Sequence, residues 1–137
     1  MRVRFWGTRG SIPVGLTAAD IRDRLAKALV AASGRRFESY GEAYTFAHEQ
    51  LPFSVSHTFG GHTSCVELDI GHEEYFVCDM GSGARAFGDH ITAREGGRPA
   101  RVNIFMSHVH WDHIMGFPFF GPAYRRGTRL RIYGCHD

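Results

Sequence analysis

Three imidazoles and a carboxylate fall within six consecutive positions, as His108, His110, Asp112 and His113 in the run Ser107-His108-Val109-His110-Trp111-Asp112-His113. Imidazole and carboxylate are ligands for divalent transition metals. No thiolate stands among them, so the set suits Zn, Mn, Fe or Ni rather than copper(I) or an iron–sulfur centre. His108 and His110 are two apart and point to the same side of extended backbone. Their Cα atoms are then roughly 6–7 Å apart, a span that two rings close onto one ion with bonds of about 2 Å. Asp112 and His113 follow one turn later and face a second ion about 3.5–4 Å from the first. All four are therefore read as metal ligands, with Asp112 also orienting the nucleophile. The bland alternative is a histidine-rich loop without metal, and the density of donors argues against it.

Such donors need a rigid element behind them. Val102-Asn103-Ile104-Phe105-Met106 is short, apolar and rich in β-branched and aromatic residues, so it predicts a buried strand whose C-terminal end delivers the cluster. Residues 65–70 and 74–78 read as a hairpin around Gly71-His72. Asp79 lies just past that hairpin, on the same edge as the histidines if the strands are neighbours. There it would accept a ring N–H from a metal-bound histidine and fix its tautomer, with capping of the next helix as the alternative. That helix spans 84–94, with Ala84, Phe87 and Ile91 inward and Gly96-Gly97 ending it; His90 on its flank is expected at the surface. A short helix starts near Asp112, a first strand covers 3–6 and a last strand 130–133. Thr17 with Asp20 opens a helix carrying Ile21, Leu25, Ala28 and Leu29 at helical spacing, and a weaker helix covers 42–50. This order predicts an α+β mixed sheet with helices on one face.

The spacing His-x-His-x-Asp-His resembles the signature of the metallo-β-lactamase superfamily. Arg4-Phe5-Trp6-Gly7-Thr8-Arg9-Gly10-Ser11-Ile12-Pro13 resembles the opening strand and loop of the branch that holds tRNase Z and small cyclic-nucleotide phosphodiesterases. Gly60-Gly61-His62-Thr63-Ser64-Cys65 resembles that branch's Gly-Gly-Asn-Thr-Ser-Cys segment, with His62 in place of Asn, and Asp79-Met80-Gly81-Ser82-Gly83 resembles its Asp-x-Gly-x-Gly turn. Gly116-Phe117-Pro118-Phe119-Phe120 also fits. The resemblance implies the N-terminal half of an αβ/βα sandwich in a single domain, residues 1–137, with a helical insertion at about 16–55. That insertion is either a cap over the site or a peripheral decoration. In the family a second half supplies further His and Asp ligands; His136 and Asp137 follow the signature too soon to take those roles. His62 is placed as a supporting residue beside the metals; an added ligand, a phosphate contact or plain turn geometry remain open for it. His48, His57 and His72 have no partner pattern.

A chain of 137 residues is one domain by length. A formal charge of +2 gives no argument for nucleic acid. Arginines gather at Arg2, Arg4 and Arg9 and at Arg125, Arg126, Arg129 and Arg131, as solvated surface or as steering for an anionic phosphodiester. Cys65, Cys78 and Cys135 form no Cys-x-x-Cys pair, and the first two sit in apolar runs as small hydrophobes. No signal-like segment precedes the first strand and no apolar run approaches spanning length, which implies a cytoplasmic protein with no membrane partner.

The expected function is a metal-dependent, phosphodiesterase-like hydrolase using metal-activated hydroxide at a dinuclear site. It would hold two zinc ions, with manganese or iron as alternatives, and act on a small-molecule or nucleotide phosphodiester. A truncated metal-binding fragment without turnover is the main rival. Thioester or lactam hydrolysis and iron-dependent oxygenation are others, because one fold hosts all of these. A homo-oligomer or a complementing C-terminal half is the expected protein partner.

Overall fold

The computed structural model describes residues 1–135; His136 and Asp137 lie outside them. The chain divides into two compact units, one formed by Met1–Val14 with the residues from Gly60 onward, the other by Gly15–Phe59.

The first unit is α+β. Its strands are β1 (Arg2–Gly7), β2 (Cys65–Asp69), β3 (Tyr75–Cys78), β4 (Arg101–Phe105) and β5 (Arg129–Tyr133), in spatial order β1-β2-β3-β4-β5. The first two pairings are antiparallel and the last two parallel, so the sheet is mixed. Two antiparallel strands close through a tight turn, here at Gly71 with φ 77°. Parallel strands need a crossover, and α4 (Ala84–Glu95) supplies it between β3 and β4. Its left-handed C-cap at Gly96, φ 57°, ends the helix as the glycine pair predicts.

α4 buries Ala84, Phe87 and Ile91 in a core with Cys65, Val77, Met80, Val102 and Ile104. Phe120 stacks on Phe87 with ring centroids 5.7 Å apart. Burial of one such ring contributes roughly 1.5–3 kcal/mol. The other sheet face carries a row of Phe5, Val66, Cys78, Phe105 and Tyr133, in register across all five strands. Phe5 is 68% exposed, Phe105 40% and Tyr133 46%, so this row stays largely open. At the β1 edge the Arg4 guanidinium spans Glu67 and Asp69, each at 3.0 Å.

The second unit holds α1 (Ala18–Ala31), α2 (Tyr40–Glu49) and α3 (Phe53–Ser56). Thr17 and Asp20 close a reciprocal capping box although Asp stands where Glu or Gln is usual. No residue of α1 is buried, and Leu25 and Leu29 are 57% and 72% exposed. Helical spacing foretold the helix and not its burial. Phe46 is the buried hydrophobic residue of this unit, against Phe37 and under Arg35.

Residues 53–56 form a helical turn, which Pro52 starts with its fixed φ. The short helix expected near Asp112 is α5 (Trp111–Ile114), a single turn that carries Asp112 and His113, followed by 3₁₀ turns at Phe117–Phe119 and Gly121–Tyr124, where Pro118 and Pro122 preclude a longer helix. One expectation needs correction. His90 is not a free surface residue: its ring packs 5.2 Å from Trp6, and its Nε2 is buried without a hydrogen-bond partner. Among the described residues no helix is long and apolar enough to cross a membrane.

Candidate functional site

β4 ends at Phe105, and the chain turns out of the sheet through Met106 and Ser107 into His108. The neighbouring strand β3 ends at Cys78 and delivers Asp79 to the same rim, because the two strands run parallel in register. The rim is stitched by backbone. Asp79 N–H donates to Phe105 O at 3.0 Å, Met80 N–H to His113 O at 2.7 Å, and Gly116 N–H to Met80 O at 2.9 Å. This close approach requires glycine. A Cβ on Gly116 would meet Gly81 O, and one on Gly81 would meet Asp112 O and lie 2.7 Å from Ser64 O.

The fold brings His108, His110 and His113 together. The ring centroids of His108 and His110 are 4.5 Å apart, and those of His108 and His113 3.9 Å, with interplanar angles of 74° and 49°. Asp112 belongs to the group: its Oδ2 lies 3.4 Å from His113 Nε2. The Ser11 N–H donates to the same Oδ2 at 2.9 Å from the opening loop. That contact is the leading cause holding the Asp112 carboxyl below the ordinary aspartate value, ahead of the imidazoles.

Asp79 is buried beneath the rings and sits at φ 61°, a left-handed conformation that aspartate tolerates better than most residues. Its Oδ2 lies 2.7 Å from His113 Nδ1 and accepts from Ser64 Oγ at 3.1 Å. Its Oδ1 accepts from the Ser107 N–H at 2.9 Å. Burial pushes its pKa up, but the Ser107 N–H, then His113 and the Ser107 hydroxyl, outweigh burial and leave it below the ordinary value. An ionised Asp79 is acceptor-only, so the His113 Nδ1–H donates to it, and in the neutral ring Nε2 then holds the lone pair.

His62 lies elsewhere on the rim. Its Nδ1 is 3.2 Å from Ser82 Oγ, and its carbonyl accepts from the N–H groups of Thr8 and Arg9. Thr63 and Ser82 cross-bond through N–H and hydroxyl at 2.9 and 2.8 Å, which fixes the Gly60–Cys65 stretch to the turn after Asp79. His62 is thus a clamp between the opening loop and this turn, facing a hydroxyl rather than the imidazole group. His48 and His57 lie in the second unit with centroids 5.4 Å apart, away from these elements in sequence.

Sequence reasoning passed over Ser11, Ser64 and Ser107. Ser107 touches the most: its Oγ lies 2.9 Å from both Asp79 oxygens, 3.0 Å from His108 Nδ1 and 3.3 Å from His113 Nδ1. The available signal was a hydroxyl residue directly before the first histidine. Ser11 gave none, since its contact with Asp112 spans 101 positions.

The donor chemistry fits a divalent ion. His113 Nε2 and Asp112 Oδ2 stand 3.4 Å apart, close to the edge of a tetrahedron with bonds of about 2.0–2.1 Å. The three rings, however, lean on one another rather than fan about a point. Among the described residues no group of three or more His, Cys, Asp or Glu is arranged to hold a metal ion.

Comparison of the chain with family models, with curated proteins and with solved structures finds no match.

Proposed function

We propose that the rim of His108, His110, Asp112 and His113 is a hydrolytic metal centre of the metallo-β-lactamase kind, acting on a phosphodiester. The observation that carries this reading is the buried Asp79 carboxylate 2.7 Å from His113 Nδ1, under a rim where three imidazoles and Asp112 gather. A carboxylate behind an imidazole orients the ring and raises its basicity as a ligand, and core packing alone asks for no such arrangement. A sheet with α4 on one face and an apolar row on the other is in keeping with one layer of an αβ/βα sandwich. The phosphodiester assignment rests on the resemblance of 4–13 and 60–65 to the tRNase Z and phosphodiesterase branch.

His108 and His110 would hold one ion, and Asp112 with His113 a second, zinc being the first choice. A divalent ion there supplies a Lewis acid that lowers the pKa of water from about 15.7 toward 7 and offsets negative charge on the phosphoryl oxygens. The chain's own residues do the rest. Asp79 holds the His113 ring, Ser11 holds the Asp112 carboxylate through its N–H, and Asp112 orients the attacking water. Arg9, two residues before Ser11 on the opening loop, adds positive charge for an anionic substrate. Water adds its oxygen to phosphorus, one P–O ester bond breaks, and the products are a phosphomonoester and an alcohol.

The test is cleavage of bis-p-nitrophenyl phosphate by the purified chain with zinc or manganese, beside His110→Ala. Metal-dependent turnover lost in His110→Ala is expected; no turnover with either metal, or turnover indifferent to the substitution, rejects it. A second reading is metal binding without turnover, favoured by the Ser11 N–H bond that already occupies the Asp112 Oδ2 assigned to the attacking water. Equilibrium dialysis that shows zinc bound and no cleavage would select it.

A further inference from the structure

We propose that Ser107 is a positioning residue whose hydroxyl relays the Asp79 carboxylate to His108, so that one buried acid sets the tautomers of two imidazoles. The inference rests on the metal reading above for the ligand role of the rings, while the proton positions stand on hydrogen-bond geometry alone.

The argument is a count of protons. The Ser107 hydroxyl has one hydrogen and two lone pairs. Both Asp79 oxygens lie 2.9 Å from Oγ, and a carboxylate only accepts, so the hydroxyl hydrogen goes to Asp79. What remains on Oγ is acceptor capacity, and two ring nitrogens face it. His113 Nδ1 is 3.3 Å from Oγ but 2.7 Å from Asp79 Oδ2, so its proton goes to the carboxylate. His108 Nδ1 is 3.0 Å from Oγ. An unprotonated Nδ1 there would set lone pair against lone pair at hydrogen-bond distance, so His108 Nδ1 carries a proton and donates it. Both rings then keep Nε2 unprotonated, the form a metal ligand requires. Chains of this kind polarise each member, since donation to a charged acceptor makes Oγ a better acceptor. The Ser107 N–H is anchored separately on Asp79 Oδ1 at 2.9 Å. Removing the hydroxyl therefore cuts the relay and leaves the backbone pinned.

The test reads tautomers in the metal-free chain by two-bond ¹H–¹⁵N correlation of the histidine rings, at a pH where they are neutral. The wild type is expected to show His108 and His113 both protonated at Nδ1. In Ser107→Ala, His108 moves to the Nε2–H form while His113, bonded directly to Asp79, does not change; Ser107→Thr restores His108. His108 protonated at Nε2 in the wild type overturns the proposal, as does an unchanged His108 in folded Ser107→Ala. Should Ser107→Ala fail to fold, the wild-type and Ser107→Thr spectra still decide it. Zinc titration against a chelator separates this inference from the metal reading. Affinity about 10–100-fold weaker in Ser107→Ala is expected, and equal affinity despite a shifted tautomer overturns the positioning role. A wild type that takes up no zinc rejects the metal reading and leaves the tautomer result to stand alone.

Discussion

Asp79 and Ser11 have φ of 61° and 67°, the two positive values among the described non-glycine residues, and both hold a member of the histidine–aspartate group. A left-handed backbone costs an ordinary L-residue roughly 1–2 kcal/mol, less for Asp or Asn. The rim keeps that strain because the backbone bonds around Asp79 determine its position. Two substitutions set charge apart from the rest. Asp79→Asn keeps the size, an acceptor oxygen and the tolerance for positive φ, and loses the negative charge that holds His113. Asp79→Ala loses all of these, including the acceptor for the Ser107 N–H. In urea denaturation, Asp79→Ala should be less stable than Asp79→Asn by at least about 1–2 kcal/mol, and equal stabilities would show that neither backbone strain nor that bond contributes. His108, His110, Asp112 and His113 were legible because their chemistry lies within six consecutive positions. Of the contacts that orient them, the one from Asp79 to a ring N–H was legible from the neighbouring strand ends, whereas those of Ser107 and Ser11 were not, since Ser107 and Asp79 are 28 apart and Ser11 and Asp112 101 apart.

At the scale of elements, the strands and α4 were legible from period and punctuation: alternation for β2 and β3, an apolar run for β4, Gly96-Gly97 after α4. The single turn at 53–56 is too short to show a period, and only tertiary packing fixes it. Glycine positions carry the joint between β3, α5 and the rim. Gly116→Ala would drive a methyl into Gly81 O. Backbone cannot rotate aside as a side chain can, so the expected cost is about 3 kcal/mol or more. The His113 carbonyl bond to Met80 should loosen with it, seen as faster amide exchange at Met80. A Gly116→Ala variant as stable as the wild type would mean that the joint yields freely. At the opposite end of the parallel strands, Glu74 joins elements by charge. Its carboxylate accepts from Asn103 Nδ2 at 2.8 Å on β4 and pairs with Arg131 at 3.2 Å on β5. The Asn103 bond, then Arg131 and Arg101, hold the Glu74 pKa below the ordinary glutamate value against partial burial. A depressed folded pKa gives stability that is present above the unfolded pKa and fades as pH falls through the folded one. The denaturation midpoint of the wild type should therefore exceed that of Glu74→Gln at neutral pH, with the gap closing below about pH 4. A gap independent of pH would assign the effect to packing instead.

At the scale of the molecule, apolar burial is concentrated in one unit. The core of Cys65, Tyr75, Val77, Phe87, Ile91, Val102, Ile104 and Phe120 lies wholly in the sheet unit, whereas the helical unit buries Phe46 alone among its hydrophobic residues. A short helix without a buried face is marginal in water, since nucleation is unfavourable and packing supplies most helical stability. The helical unit also leaves and re-enters the sheet unit at adjacent points, because Val14 N–H donates to Gly61 O at 2.9 Å. Closing that gap directly needs only a few residues, and loop-closure entropy grows slowly with length, so a short loop costs no more than the native excursion. Replacing 15–59 by a short Gly/Ser linker should therefore leave the sheet, α4 and the histidine rim folded. The check is twofold: slow amide exchange retained at Val102 and Ile104 in the shortened chain, and His113 still protonated at Nδ1. In the intact chain, α1 amides should exchange at least ~100-fold faster than those of β4. Collapse of the shortened chain to an unfolded spectrum would show that the sheet unit draws stability from 15–59, and exchange in α1 as slow as in β4 would say the same without any deletion.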